Sequence, residues 1–213
     1  MRAMRRTAGR KRGRAQEPTQ GPERTRKAKL GWFPYLSLET MRDDVKTLIR
    51  PAQERLGFVP NVFQTYAWRP DRLVKWHAHY DDIMRGASGL SRAEREMIAV
   101  VVSAENRCFY CMASHGAALR KLLGDPILGE QILLDYRKAP LDARTHAMLA
   151  YATKITRTPT ECAEDDITRL RDLGFSAEDI WDIAETAAMF NYTNRMMNAT
   201  GTIPNPEYHG MAR

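Results

Sequence analysis

The run LSRAEREMIAVVVSAENRCFYCMASHGAAL, residues 90–119, decides how this chain folds. It opens with Ser91 and Glu94, three residues apart. In that pattern a hydroxyl and a carboxylate each satisfy one of the free N–H groups at a helix start. Between Met97 and Ala104 the residues are apolar on nearly every face, as in a helix at the centre of a core. Val100, Val101 and Val102 would also suit a strand, but the cap ahead of them and the lack of a partner strand favour helix. Asn106 and Arg107 are expected to bend or break the chain. A second helix then spans about 108–123 and ends at Gly124. Cys108, Cys111 and His115 stand three and four residues apart at its start. At about 100° per residue they share one narrow face.

Outward from this run the pattern stays helical. WFPYLSLE reads as an extended lead-in, followed by a helix over 39–56 that Pro51 should kink or split. A short helix from Pro60-Asn61 to Tyr66 is expected, then one that Pro70 opens and that runs to about Met84. Asp125-Pro126 caps a helix over 127–136, and another spans 142–156. Thr160 is expected to cap a helix over 161–173, and Ser176 with Asp179 opens a last long one reaching about Met197. No strand-rich segment with hairpin turns and no repeat of fixed period is visible. The expectation is one all-α domain over 31–213.

The net charge of +7 belongs to one end. Residues 1–30 carry eight Arg and three Lys against Glu17 and Glu23, which is +9, and the remaining 183 residues sum to −2. That basic arm is poor in large apolar residues and is expected to be disordered. It would touch nucleic acid or anionic lipid only non-specifically, through charge. No run of about 18 apolar residues exists, so no membrane span is expected. The N-terminus lacks the apolar stretch of a secretory signal. With only three cysteines, two of them in one motif, a reducing cytoplasm fits better than a disulfide-stapled scaffold.

The thiol pair suggests chemistry. Cysteines at a helix start feel free N–H groups and the positive dipole end, which favour thiolate. One thiolate attacks, and its neighbour one turn away then closes a disulfide. Two other readings fit the same spacing: an inert pair of core cysteines, and three ligands of a zinc site. A closed zinc site wants a second Cys/His pair; Cys162 is alone, and His77 and His79 lie in another helix. Glu96 sits among apolar neighbours, where a carboxylate is costly unless paired.

These residues resemble the alkylhydroperoxidase D (AhpD)-like, carboxymuconolactone decarboxylase-like superfamily, closest to its peroxidase-related branch. The family pattern places a glutamate twelve residues before a C-x-x-C and a histidine four after it, which here are Glu96, Cys108, Cys111 and His115. RLGFVPNVFQTYAWRP (55–70), FNYTNRMMNATG (190–201) and PNPEYH (204–209) also resemble family segments. The resemblance implies an all-helical homo-oligomer that reduces organic or hydrogen peroxides. It implies Cys111 as the peroxidatic cysteine, Cys108 as the resolving one, and a Glu96–His115 proton relay. It implies no haem, flavin or metal, and a dithiol reductant such as a lipoylated or thioredoxin-like protein. Where familiar members carry a histidine next to the second cysteine, this chain has Phe109 and Tyr110. Tyr110 is expected to offer the site a hydrogen bond but no base near neutral pH. A non-catalytic redox sensor or scaffold using the same pair is the alternative.

Overall fold

A computed structural model describes residues 30–213, so the expected disorder of the basic arm falls almost wholly outside the described residues. Ten α-helices follow in order: α1 (Asp43–Leu56), α2 (Asn61–Tyr66), α3 (Pro70–Arg85), α4 (Arg92–Glu105), α5 (Phe109–Leu123), α6 (Pro126–Asp135), α7 (Ala143–Arg157), α8 (Glu164–Asp172), α9 (Ala177–Thr200) and α10 (Glu207–Gly210). No strand occurs among the described residues.

Helix α4 is the axis. The capping box forms as the sequence requires: the Glu94 N–H donates to Ser91 Oγ at 3.2 Å, and the Ser91 N–H to Glu94 Oε2 at 2.7 Å. Met97 through Ser103 are all buried, because α4 is surrounded by α5, α6, α7 and α9. Ile98, Val100 and Val102 have no exposed surface. Burying such a side chain contributes about 1.5–3 kcal/mol. Ile98→Ala should therefore lower unfolding stability by about 2–5 kcal/mol, the transfer loss plus the cavity left behind. Chemical denaturation checks this; a loss under about 1 kcal/mol would mean that the core is not packed as described.

A second apolar cluster joins α1, α2 and α3 to the start of α5 and the end of α9. The segment after α9 closes over it. Asn61 N–H donates to Asn205 Oδ1 at 2.8 Å, Asn205 Nδ2 donates to the Val59 carbonyl, and Asn61 Nδ2 to the Ile203 carbonyl. Buried Arg120 of α5 donates to the carbonyls of Tyr208 and Met211. Such buried polar groups stay affordable because backbone oxygens satisfy them.

Three expectations need correction. Leu38–Thr40 is a separate 3₁₀ turn, so the first helix starts at Asp43. Helix α1 runs unbroken through Pro51, which lies on the exposed side while Val45 and Ile49 hold the opposite face in the core. Thr160 caps nothing: Pro159–Glu161 is a 3₁₀ turn, and α8 starts at Glu164. There Asp166 accepts from the Ala163 N–H at 2.9 Å. Three acidic residues in that first turn, Glu164, Asp165 and Asp166, suit its positive dipole end.

The corner between α4 and α5 sets up the site. Arg107 adopts the left-handed conformation, φ 50°. Its N–H donates to the Ala104 carbonyl, and the Cys108 N–H reaches back to the Ser103 carbonyl at 2.9 Å. That is the paired closure with which helices commonly end, here with arginine where glycine is usual. It turns the chain sharply enough for α5 to pack back along α4.

Candidate active site

Cys108 is the N-cap of α5, and its Sγ accepts from the Cys111 N–H at 3.4 Å. Cys111 lies in the first turn that this sulfur caps. Both cysteines are free thiols, 0% and 1% exposed. They differ in surroundings. Cys111 lines a cavity of about 490 Å³, shared with Glu96 and His115, and Cys108 stands behind it, off that lining. The hydrogen bond from the Cys111 thiol, helped by the amides of Cys111 and Tyr110 and by Asn194, pulls the Cys108 thiol below its usual range against the effect of burial. Burial, then the hydrogen bond and charge of Cys108, push the Cys111 thiol well up. The pair thus holds its first negative charge on the capping sulfur, where helix N–H groups converge.

One turn along α5, His115 Nδ1 lies 2.7 Å from Oε2 of Glu96 on α4. Their side chains are only 14% and 13% exposed. A carboxylate can only accept, so Nδ1 carries the proton and Nε2 is left as the basic nitrogen. The imidazole is steadied by Phe190 of α9, edge to face at 4.6 Å between ring centroids. The expected partner of Glu96 is therefore His115. Tyr110 also borders the cavity, but its hydroxyl accepts from the Val62 N–H at 3.3 Å. What Tyr110 gives the thiols is its backbone amide.

These charges have a measurable consequence. Reduced protein titrated by thiolate absorbance should ionise in two steps: one below the ordinary thiol value of about 8.5 and one above it. Alkylation with peptide mapping should assign the lower step to Cys108. A single step at the ordinary value would contradict the capping geometry.

Among solved structures, this fold superposes on an uncharacterized peroxidase-related protein from Silicibacter sp. TM1040 with a TM-score of 0.84 and 47% identity, covering 89% of this chain and all of the other. An alkylhydroperoxidase AhpD core protein from Ralstonia eutropha JMP134, also described as peroxidase-related, matches at 41% identity and a TM-score of 0.85, over 87% of this chain and 98% of that one. Residues 70–126, from α3 through α5, match the carboxymuconolactone decarboxylase family. This chain belongs to the AhpD-like, carboxymuconolactone decarboxylase-like superfamily. No curated protein matches it. The debrominase Bmp8 shares the AhpD-like fold at 18% identity, with a TM-score of 0.70 over 86% of this chain and 95% of that one.

In this AhpD-like site the sequence reading missed the floor beneath the thiols. Asn194 of α9 is fully buried; its Nδ2 donates to Ser103 Oγ and its Oδ1 accepts from Asn106 Nδ2, each at 3.0 Å. Asn194 lowers both cysteine ionisations. The signal was present: Ser103 and Asn194 are polar residues inside apolar helical runs. Only the packing of α9 under the corner shows that they meet. Among the described residues, no group of three or more His, Cys, Asp or Glu is placed to hold a metal. Nor is any helix there long and apolar enough to cross a membrane.

Proposed function

We propose that this chain is a thiol-dependent peroxidase. The observation that carries the reading is the Glu96–His115 pair set one helical turn from Cys111 on the wall of the same cavity, with Cys108 directly behind. Burial pushes the Cys111 thiol up, so it needs a base to become the nucleophile. His115, fixed in one tautomer by Glu96, takes that proton. The Cys111 thiolate then attacks the terminal peroxide oxygen. An S–O bond forms, the O–O bond breaks, and the departing alkoxide takes the proton from His115 to leave as alcohol. The Cys108 thiolate attacks the resulting sulfenic sulfur. The S–S bond forms, and hydroxide leaves and takes up a proton from solvent to become water. Two electrons from an external dithiol, lipoyl or thioredoxin-like, restore the pair.

The same reading makes the protein a cytoplasmic homo-oligomer that uses no haem or flavin. Near-complete burial of both sulfurs also suits a redox sensor, which records oxidation without turnover. An assay of several peroxides with lipoyl and thioredoxin-type reductants separates the two. Repeated, reductant-dependent turnover is expected. One stoichiometric oxidation followed by arrest would sink the peroxidase reading.

A further inference from the structure

The cavity at Cys111 is lined by four cations. Arg85, Arg92 and Lys121 line it, and Arg55 lies on the wall near α10. Arg85 is paired with Asp81. Arg55, Arg92 and Lys121 have no ion-pair partner among the described residues. Glu96 is the one described carboxylate on the lining, and it is already bound to His115. This excess of cations is local, since the chain beyond the arm sums to −2.

Its position is defined by the α4–α5 hairpin. The thiols sit at the closed end, beside the corner, whereas Arg92 begins α4 and Lys121 lies near the end of α5, both at the open end. The ten residues from Cys111 to Lys121 span about 15 Å of helix. Between the ends the wall is aromatic: Trp76 stacks on Tyr80 with centroids 5.3 Å apart, and both line the cavity. The space therefore runs from exposed Arg92 and Lys121, past an aromatic wall, to the reactive thiol.

We propose that this site takes an elongated organic hydroperoxide bearing a carboxylate at the end remote from the peroxide. The carboxylate sits on Arg92 and Lys121, the apolar body runs along Trp76 and Tyr80, and the peroxide reaches Cys111. A guanidinium fork matches a carboxylate's two oxygens, and an ammonium adds a point charge. The proposal rests on the peroxidase reading for its chemistry, but the carboxylate subsite is testable apart from it.

The first measurement compares a medium-chain terminal hydroperoxy acid with its methyl ester on the full chain. The acid should be preferred in kcat/KM by about tenfold, which corresponds to about 1.4 kcal/mol shared between the two cations. The exposed double substitution Arg92→Gln/Lys121→Gln should bring that ratio near one, and Arg92→Lys should keep part of it. The second measurement needs no turnover: calorimetric binding of dodecanoate against methyl dodecanoate. Preference for the acid, lost in the double variant, supports the subsite even if no peroxide is reduced, in which case only the peroxidase reading falls. Equal binding of acid and ester overturns the subsite and leaves the peroxidase reading standing. A double variant that raises KM for the dithiol reductant while keeping the acid-to-ester ratio would also overturn it, by assigning the cations to the reductant.

Discussion

Cys111→Ser should reduce peroxide turnover to the rate seen without protein. Serine's hydroxyl gives up its proton far less readily than a thiol, and even with His115 as base its oxygen is a poor nucleophile towards peroxide oxygen and cannot take up the S–O oxidation chemistry. The converse substitution should behave differently. Cys108→Ser leaves Cys111 on the cavity wall with His115 beside it, so one equivalent of peroxide is still consumed. The product is a sulfenic acid that has lost its neighbouring thiol; the remaining one, Cys162, stands before α8 and off the cavity lining. A sulfenic-specific label and peptide mapping should find it on Cys111, with no further turnover. The order of attack is the point most exposed to refutation, since the capping position gives Cys108 the lower ionisation. Sulfenic acid on Cys108 in the Cys111→Ser protein, and none on Cys111 in the converse one, would exchange the two roles.

The second large effect concerns the base. His115→Ala and Glu96→Gln should each slow the first oxidation at neutral pH by about 10²–10⁴-fold, the usual range for a positioned acid–base group. The loss should shrink as pH rises. Burial holds the Cys111 thiol above its ordinary value, so without the base its thiolate accumulates only in alkaline solution. Glu96→Gln should be the milder change, because it keeps the imidazole and removes only the partner that fixes its tautomer. Stopped-flow oxidation across pH reads both. A loss independent of pH would mean that the pair only holds α4 against α5.

Much of this architecture was legible because its signals are local. Ser91 with Glu94 and Ser176 with Asp179 mark helix starts by side chains that reach only three residues. Asp125 and Asp142 likewise accept from N–H groups of the helices they open. Thr160 misled because a 3₁₀ turn over Pro159–Glu161 precedes the helix, and Asp166, which accepts from the Ala163 N–H at the helix start, is also held from outside the segment by Lys154 of α7. The positions of Glu96, Cys108, Cys111 and His115 on facing helices followed from spacing and from the family resemblance. Asn194 and the cations on the cavity wall did not. Each needs a contact between elements distant in sequence, and no periodicity within one helix reports it.

The three residues between α4 and α5, Asn106, Arg107 and Cys108, carry one further consequence. They fix not only direction but rotational phase. Inserting one residue would turn α5 by about 100° and advance it by about 1.5 Å relative to α4. His115 would swing off Glu96, and Cys111 off the cavity. Loops elsewhere absorb changes in length cheaply. At this corner the number of residues acts as the timing of a gear: side chains there can be exchanged, but a single tooth added or removed disengages the proton-handling pair from the sulfur it serves.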